Sequence, residues 1–200
     1  MRAFIAPLLT VALPLNLCAV GMVIFFGLHS LHAENALLEN VQALTLLLAS
    51  FLYAGAAAHC EQSSRFVAVG LSLLCFSFVV REIDVELLGL PNLLTAMLVG
   101  DGRTATLVGA WSLFFLAFAK SSVYLLDLAK QHIASGLALY LLASAGLLIA
   151  SGLIDRSLIE PTYPRLIEEF LEMNAYGLLL VPACFALRKQ WAGRLSGLAD

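Results

Sequence analysis

The sequence predicts an all-α polytopic membrane protein: one transmembrane domain, built as a bundle of six transmembrane helices joined by short loops. Three observations predict it. Of 200 residues, 61% are hydrophobic and 12% charged, with a mean hydropathy of +0.93. Soluble domains carry roughly 25% charge, and a soluble fold this small has too little interior to hide so much apolar surface. Six apolar runs approach the ~20 helical residues that a hydrocarbon core of ~30 Å requires, some of them only with their charged ends included. The basic residues also divide unevenly between the two sets of helix ends.

The first run, Phe4–Leu28, carries Pro14 mid-helix, which predicts a kink, and Asn16, a polar group that needs a partner. It has the flavour of a signal peptide but is too long and lacks an A-x-A cleavage site, so it reads as a span. The second run is Ala33–His59 and the third is Ser64–Leu87, which ends on Arg81, Glu82, Asp84 and Glu86. The fourth run is Thr104–Tyr124, and the segment after it, KSSVYLLDLAKQ, has no breaker and predicts a helical extension. The fifth run is His132–Ile154. Its Ser135, Gly136, Ala143, Gly146, Ala150, Ser151 and Gly152 predict close, central packing, because small residues let membrane helices approach. The sixth run is Pro164–Gln190, with Pro164 in the first turn, where its missing N–H costs nothing.

The third and fourth runs are joined by LLGLPNLLTAMLVGDGRTA. Pro91 and Asp101-Gly102 punctuate it, yet its middle is apolar and too short to span, so it is expected to lie flat at the interface or dip into it, covering the outer ends of the bundle.

Arg2, Arg65, Lys120, Lys130, Arg188, Lys189 and Arg194 fall on one set of ends, and Arg81, Arg103, Arg156 and Arg165 on the other. The positive-inside rule then places both termini in the cytoplasm of a bacterial-type inner membrane. Acids gather at the outer ends. Counting about 20 residues from the inner ends brings Glu39, Arg81, Glu82, Asp84, Glu169 and Glu172 to one level near the outer boundary. Asn35, Glu39 and Gln42 form one polar stripe on the second helix, Glu168 and Glu172 share a face of the sixth, and Glu82 and Glu86 share a face of the third. Polar stripes on apolar helices are expected to face one another, because lipid leaves them unpaired.

Acids in a first helical turn complement the dipole, which accounts for Glu34, Glu168 and Glu169 without any function. Glu39 and Glu172 lie deeper. Glu82 and Asp84 sit at a helix C-terminus, where the dipole disfavours anions, so they need Arg81, a bound cation, protons or water. Three readings follow. In the leading one, an outward-facing acidic pocket formed by Glu39, Arg81, Glu82, Asp84, Glu169 and Glu172, supported by Asn35 and Gln42, binds a cation, a proton or a polar lipid headgroup. In the second, paired carboxylates serve as acid and base in a membrane enzyme acting on a lipid or isoprenoid-linked substrate. In the third, the charges lock helices in a non-catalytic subunit, which could hold a partner membrane subunit.

Other classes find no support. The net charge of −3 does not suit a nucleic-acid partner, so the expected partner is the lipid bilayer. Cys18, Cys60, Cys75 and Cys184 show no CxxC spacing and read as small hydrophobes. His29 and His32 fall at one end and His59 and His132 at the other, so neither a three-His zinc site nor paired axial haem ligands can form, and no metal centre is expected. No G-x-S-x-G, Walker A or G-x-G-x-x-G motif occurs, and nothing in the sequence names a cofactor.

Overall fold

The computed structural model describes residues 16–17, 21, 37–60, 62–121, 130, 137–159, 161 and 163–196. Among these residues the chain forms six α-helices: α1 (Leu37–Ala57), α2 (Gln62–Glu82), α3 (Asn92–Leu98), α4 (Gly100–Ala119), α5 (Leu137–Asp155) and α6 (Pro164–Ser196). Four of them, α1, α2, α4 and α5, are long and apolar enough to cross a membrane. The first apolar run and Asn35 lie outside the described residues, apart from Asn16, Leu17 and Gly21.

The core is a three-helix contact. Leu46, Ala49 and Tyr53 of α1, Leu71, Cys75 and Val79 of α2, and Ala175, Tyr176, Leu179 and Ala183 of α6 are buried against one another. The spacings of three, four and seven put each set on one helical face. Small alanines alternate with large side chains, so the backbones approach closely. Polar groups inside the contact are satisfied locally. Ser50 and Ser72 exchange hydrogen bonds across α1 and α2, each hydroxyl donating to the other's carbonyl at 3.0 and 2.9 Å. The Tyr53 hydroxyl donates to the Leu179 carbonyl at 3.0 Å. That carbonyl lies one residue beyond the one that Pro182, inside α6, leaves without its usual helical donor.

Helix α6 holds the central place expected of the fifth run. Helix α5 packs on α6 through Tyr140, which meets Leu178 and Val181, and it buries Ser144, Ser151 and Ile154 along one face. The expectation of glycine-mediated packing fails at Gly146 and Gly152, where an added Cβ would meet open space. The serines of α5, Ser144 and Ser151, supply the small residues of the contact and its glycines do not, and composition alone does not reveal that phase. Helix α4 buries no residue. It rests on α2 through edge-on rings, Phe66 against Phe114 and Phe118, and through the Trp111 indole N–H, which donates to Ser77 Oγ at 3.2 Å.

Several helix ends differ from expectation. The third run was expected to stay helical to Leu87, but α2 stops at Glu82 and a 3-10 turn occupies Val85–Leu88. The cause is Asp84, whose carboxylate accepts the Glu86 N–H at 3.3 Å and starts the new turn, which Gly89 closes at φ 59°. Glu82 and Glu86 therefore do not share a helical face. The fourth run starts four residues earlier than expected, at Gly100, and its helix closes at Ala119, with Lys120 as its cap; Tyr124 and most of the segment expected to extend it lie outside the described residues.

The apolar connection between them is the short helix α3, which exposes Leu93, Leu94 and Met97 and leaves Leu88 uncovered beside it. Gly102 sits where α4 turns against α3, and a Cβ there would overlap the Ala96 carbonyl oxygen. Gly102→Ala is therefore expected to force the α3–α4 corner open and to cost about 2 kcal/mol or more, since backbone cannot yield as a flexible side chain does. Thermal unfolding in detergent, with Gly109→Ala as the unhindered control, checks it.

Candidate functional site

Helices α1, α2, α5 and α6 bring their polar ends to one end of the bundle. Helix α1 contributes its first turns, with Glu39 and Gln42. Helix α2 contributes its last residues, Arg81 and Glu82. Helix α5 contributes Ser151 and Asp155, and α6 contributes Arg165, Glu168, Glu169, Glu172 and Tyr176. Each of these stretches is an apolar helix that becomes polar at the same depth.

Arg81 is the hub. Its Nη2 donates to Glu172 Oε1 at 2.8 Å, and its Nε donates to Glu82 Oε1 at 2.9 Å. Tyr176 ties the pair together: its hydroxyl donates to Glu82 Oε1 at 2.8 Å and accepts from Arg81 Nη2 at 3.0 Å. Ser151 Oγ of α5 donates to the same Glu172 oxygen at 3.0 Å. Three helices thus meet through one closed set of charge-assisted hydrogen bonds. The two carboxylates are nearly enclosed, with 9% and 11% of their side chains exposed, whereas Arg81 is 49% exposed. The guanidinium leans over the Phe78 ring, 5.8 Å from its centroid.

Two further pairs flank the hub. Gln42, fully buried, donates from Nε2 to Glu169 Oε2 at 2.8 Å and to the Glu169 carbonyl at 3.0 Å. Its Oε1 is the one buried side-chain polar atom without a hydrogen-bond partner among the described residues. Glu39 accepts from Arg165 Nη2 at 3.2 Å, an ion pair that ties α1 to α6. Further along α6, Asn174 and Asn16 of the first apolar run exchange side-chain hydrogen bonds at 2.7 and 3.0 Å, which supplies the partner that Asn16 needs.

Above the hub lie two open cavities that share Glu39, Arg81, Glu82 and Arg165. One, of about 490 Å³, runs under the α3–α4 corner and is bordered by Asp84, Glu86 and Arg103. The connecting segment supplies Leu98, Val99 and Gly100 to its wall. The other, of about 500 Å³, runs between α2, α5 and α6 and adds Phe78, Leu148, Gly152, Asp155, Glu168, Glu169 and Glu172. Among the described residues, six carboxylates and two guanidiniums line this second cavity. Arg81 engages Glu82 and Glu172, and Arg165 engages Glu39, which leaves the second cavity with a surplus of negative charge.

Of the residues the sequence singled out, Arg81, Glu82 and Glu172 meet directly, Glu169 meets Gln42, and Glu39 borders both cavities. Asp84 caps the 3-10 turn and faces only the first cavity. Sequence reasoning passed over Tyr176, Ser151 and Arg165. Tyr176 follows Glu172 by four residues and so extends its stripe, and Arg165 precedes Glu169 by four. Ser151 carried no such signal, being one of many small residues in α5. Among the described residues, no three His, Cys, Asp or Glu side chains come together as a metal site. Comparison with known protein families, with curated proteins and with solved structures finds no match.

Proposed function

We propose that the chain is a six-span integral protein of a bacterial-type inner membrane, with both termini cytoplasmic, whose outward-facing acidic cavity binds a protonated amine, either free or on a lipid headgroup. The observation that carries this reading is the charge imbalance of the cavity between α2, α5 and α6: six carboxylates against two guanidiniums, both of which are already engaged. A cavity lined by one excess sign at a low-dielectric boundary concentrates ions of the opposite sign. The acids are spread around the walls instead of converging as a cage, which suits an ammonium donating several N–H bonds better than a chelated metal ion. Its depth at the headgroup level puts the amines of membrane lipids within reach.

In this reading the Arg81–Glu172–Glu82–Tyr176 set is the floor of the cavity and keeps its shape. Asp155 and Glu168, which lie on the wall away from either arginine's ion pairs, are the groups that meet the ligand. The enzymatic reading asks for paired carboxylates free to exchange protons with substrate, and two of the acids that the sequence singled out, Glu82 and Glu172, are held by Arg81 instead. The reading in which charge only locks the helices is tested by the same experiment.

Ethanolamine titrated against the purified protein, followed by ligand-induced thermal stabilisation, is expected to show saturable binding. Nanodiscs rich in phosphatidylethanolamine should compete, while those of phosphatidylcholine, which has no N–H to donate, should not. Asp155→Asn and Glu168→Gln should each weaken binding about two- to fivefold and leave the ligand-free melting temperature nearly unchanged. Absence of stabilisation by either amine source would leave a helix lock and no ligand.

A further inference from the structure

At the opposite end of the bundle from the acids, a crevice of about 700 Å³ opens sideways between α1, α2 and α4. Its floor and walls include Phe51 and Ala54 of α1, Phe66 and Phe76 of α2, and Phe114 and Ala117 of α4. Alanines between phenylalanines make a slot and not a flat face. Ser50 and Ser72 are the only uncharged polar residues on it among the described residues, and they bond to each other across α1 and α2. Its interior therefore offers nothing to a polar ligand.

Among the described residues that line it, Arg65 alone carries charge, and it marks the end of the slot near the α1–α2 turn. One of its Nη2 hydrogens goes to the Cys60 carbonyl at 3.2 Å, and it makes no ion pair among the described residues. A guanidinium has five donors, so four have no partner among the described residues and can meet an incoming anion. From Arg65 to Phe76 the slot follows α2 for about 16 Å, at 1.5 Å per residue, roughly half of a ~30 Å hydrocarbon core. That is the depth of one leaflet.

We infer that this crevice is a binding site for a single anionic phospholipid of the leaflet opposite the acidic cavity, with its phosphate on Arg65 and one acyl chain in the slot between α1, α2 and α4. The lining fits both halves of such a molecule: a guanidinium with spare donors at headgroup depth, then an apolar channel with no unsatisfied polar group. Bidentate guanidinium–phosphate pairing supplies the preference for a phosphate over other headgroup chemistry, and a negative headgroup charge reinforces it. The site also explains why α4 can sit on α2 without burying a residue, since the chain fills the gap that the helices leave. The inference rests on α1, α2 and α4 crossing a membrane but not on the acid-lined cavity, and the two fail separately.

The test uses the full chain in detergent and in nanodiscs, with phosphatidylglycerol and phosphatidylcholine as probes and native mass spectrometry to count retained lipids. Wild type should retain one phosphatidylglycerol in preference to phosphatidylcholine. Arg65→Gln should reduce that preference about fivefold, the ~1 kcal/mol expected of one basic residue at a membrane surface. Ala54→Phe and Ala117→Phe, both at exposed positions, should fill the slot and abolish retention of either lipid while ethanolamine stabilisation persists. Equal retention of the two lipids, or retention unaffected by the filling variants, overturns the inference. So does conversion of a dimer to a monomer by those variants, which would show that a second copy covers the slot. Failure of the chain to enter nanodiscs at all would remove the membrane reading itself.

Discussion

Arg81→Ala is expected to unfold the acidic end of the bundle before any other part of it. The substitution removes the only cation in contact with Glu172 and Glu82 among the described residues, and both carboxylates are nearly enclosed. A buried charge left without its partner costs about 3–5 kcal/mol. Half of the Arg81 side chain is exposed, so water replaces part of what is lost and the expected loss is about 2–4 kcal/mol. Arg81→Lys should recover only part of it, because an ammonium cannot reach Glu172, Glu82 and the Tyr176 hydroxyl with the geometry of a planar fork. Thermal unfolding in a mild detergent measures both. Hydrogen exchange should show the loss concentrated at the end of α2 and the start of α6, with the Ser50–Ser72 contact still protected.

Tyr176→Ala is expected to cost about 3–5 kcal/mol, the range for deleting a large buried ring. Tyr176 is fully buried, and its ring packs 5.7 Å from that of Phe78 while its hydroxyl completes the Arg81 set. Tyr176→Phe separates the two contributions. It keeps the ring and removes the donor to Glu82, leaving that carboxylate short of one hydrogen bond at a cost of about 1–3 kcal/mol. If the two variants lose equal stability, the ring contributes little and the hydroxyl accounts for the effect. If Tyr176→Phe loses nothing, the hydroxyl is not part of the lock.

The polar level of the bundle is legible in the sequence because depth is arithmetic. A helix rises a fixed distance per residue, so counting from the basic ends of three runs places Glu39, Glu82, Glu169 and Glu172 at one height without knowledge of the packing. The stripe that joins Glu39 to Gln42 is legible for the same reason. Rotation about each helix axis is not. Whether Glu172 faces α2 or α5 depends on the phase of α6 against its neighbours, which side-chain fit decides after the helices meet. That is why Ser151 and Tyr176 stay hidden while the acids they bind do not. The same indeterminacy limits the reading of the fifth run, where Ser151 enters the contact while a Cβ on Gly146 or Gly152 would meet open space.

The early end of α2 has a local cause. No Gly or Pro stands between Glu82 and Leu88, so the usual punctuation marks the stop too late, at Gly89 and Pro91. The break is made by a side chain: Asp84 takes the Glu86 N–H and starts a tighter turn. An Asp two residues after a charged pair is the trace of that event in the sequence.

The acidic end and its cavity depend on Arg81 joining α2 to α6 through Glu172, at the floor of the cavity. A double-mutant cycle between Arg81→Gln and Glu172→Gln, measured by unfolding in the same lipid, tests that link most directly. Each single variant should lose stability, and the double variant should lose less than their sum by more than about 1 kcal/mol, because removing the second partner relieves the first. Additivity within about 0.3–0.5 kcal/mol would mean that the two side chains do not interact, and would contradict the account at its base.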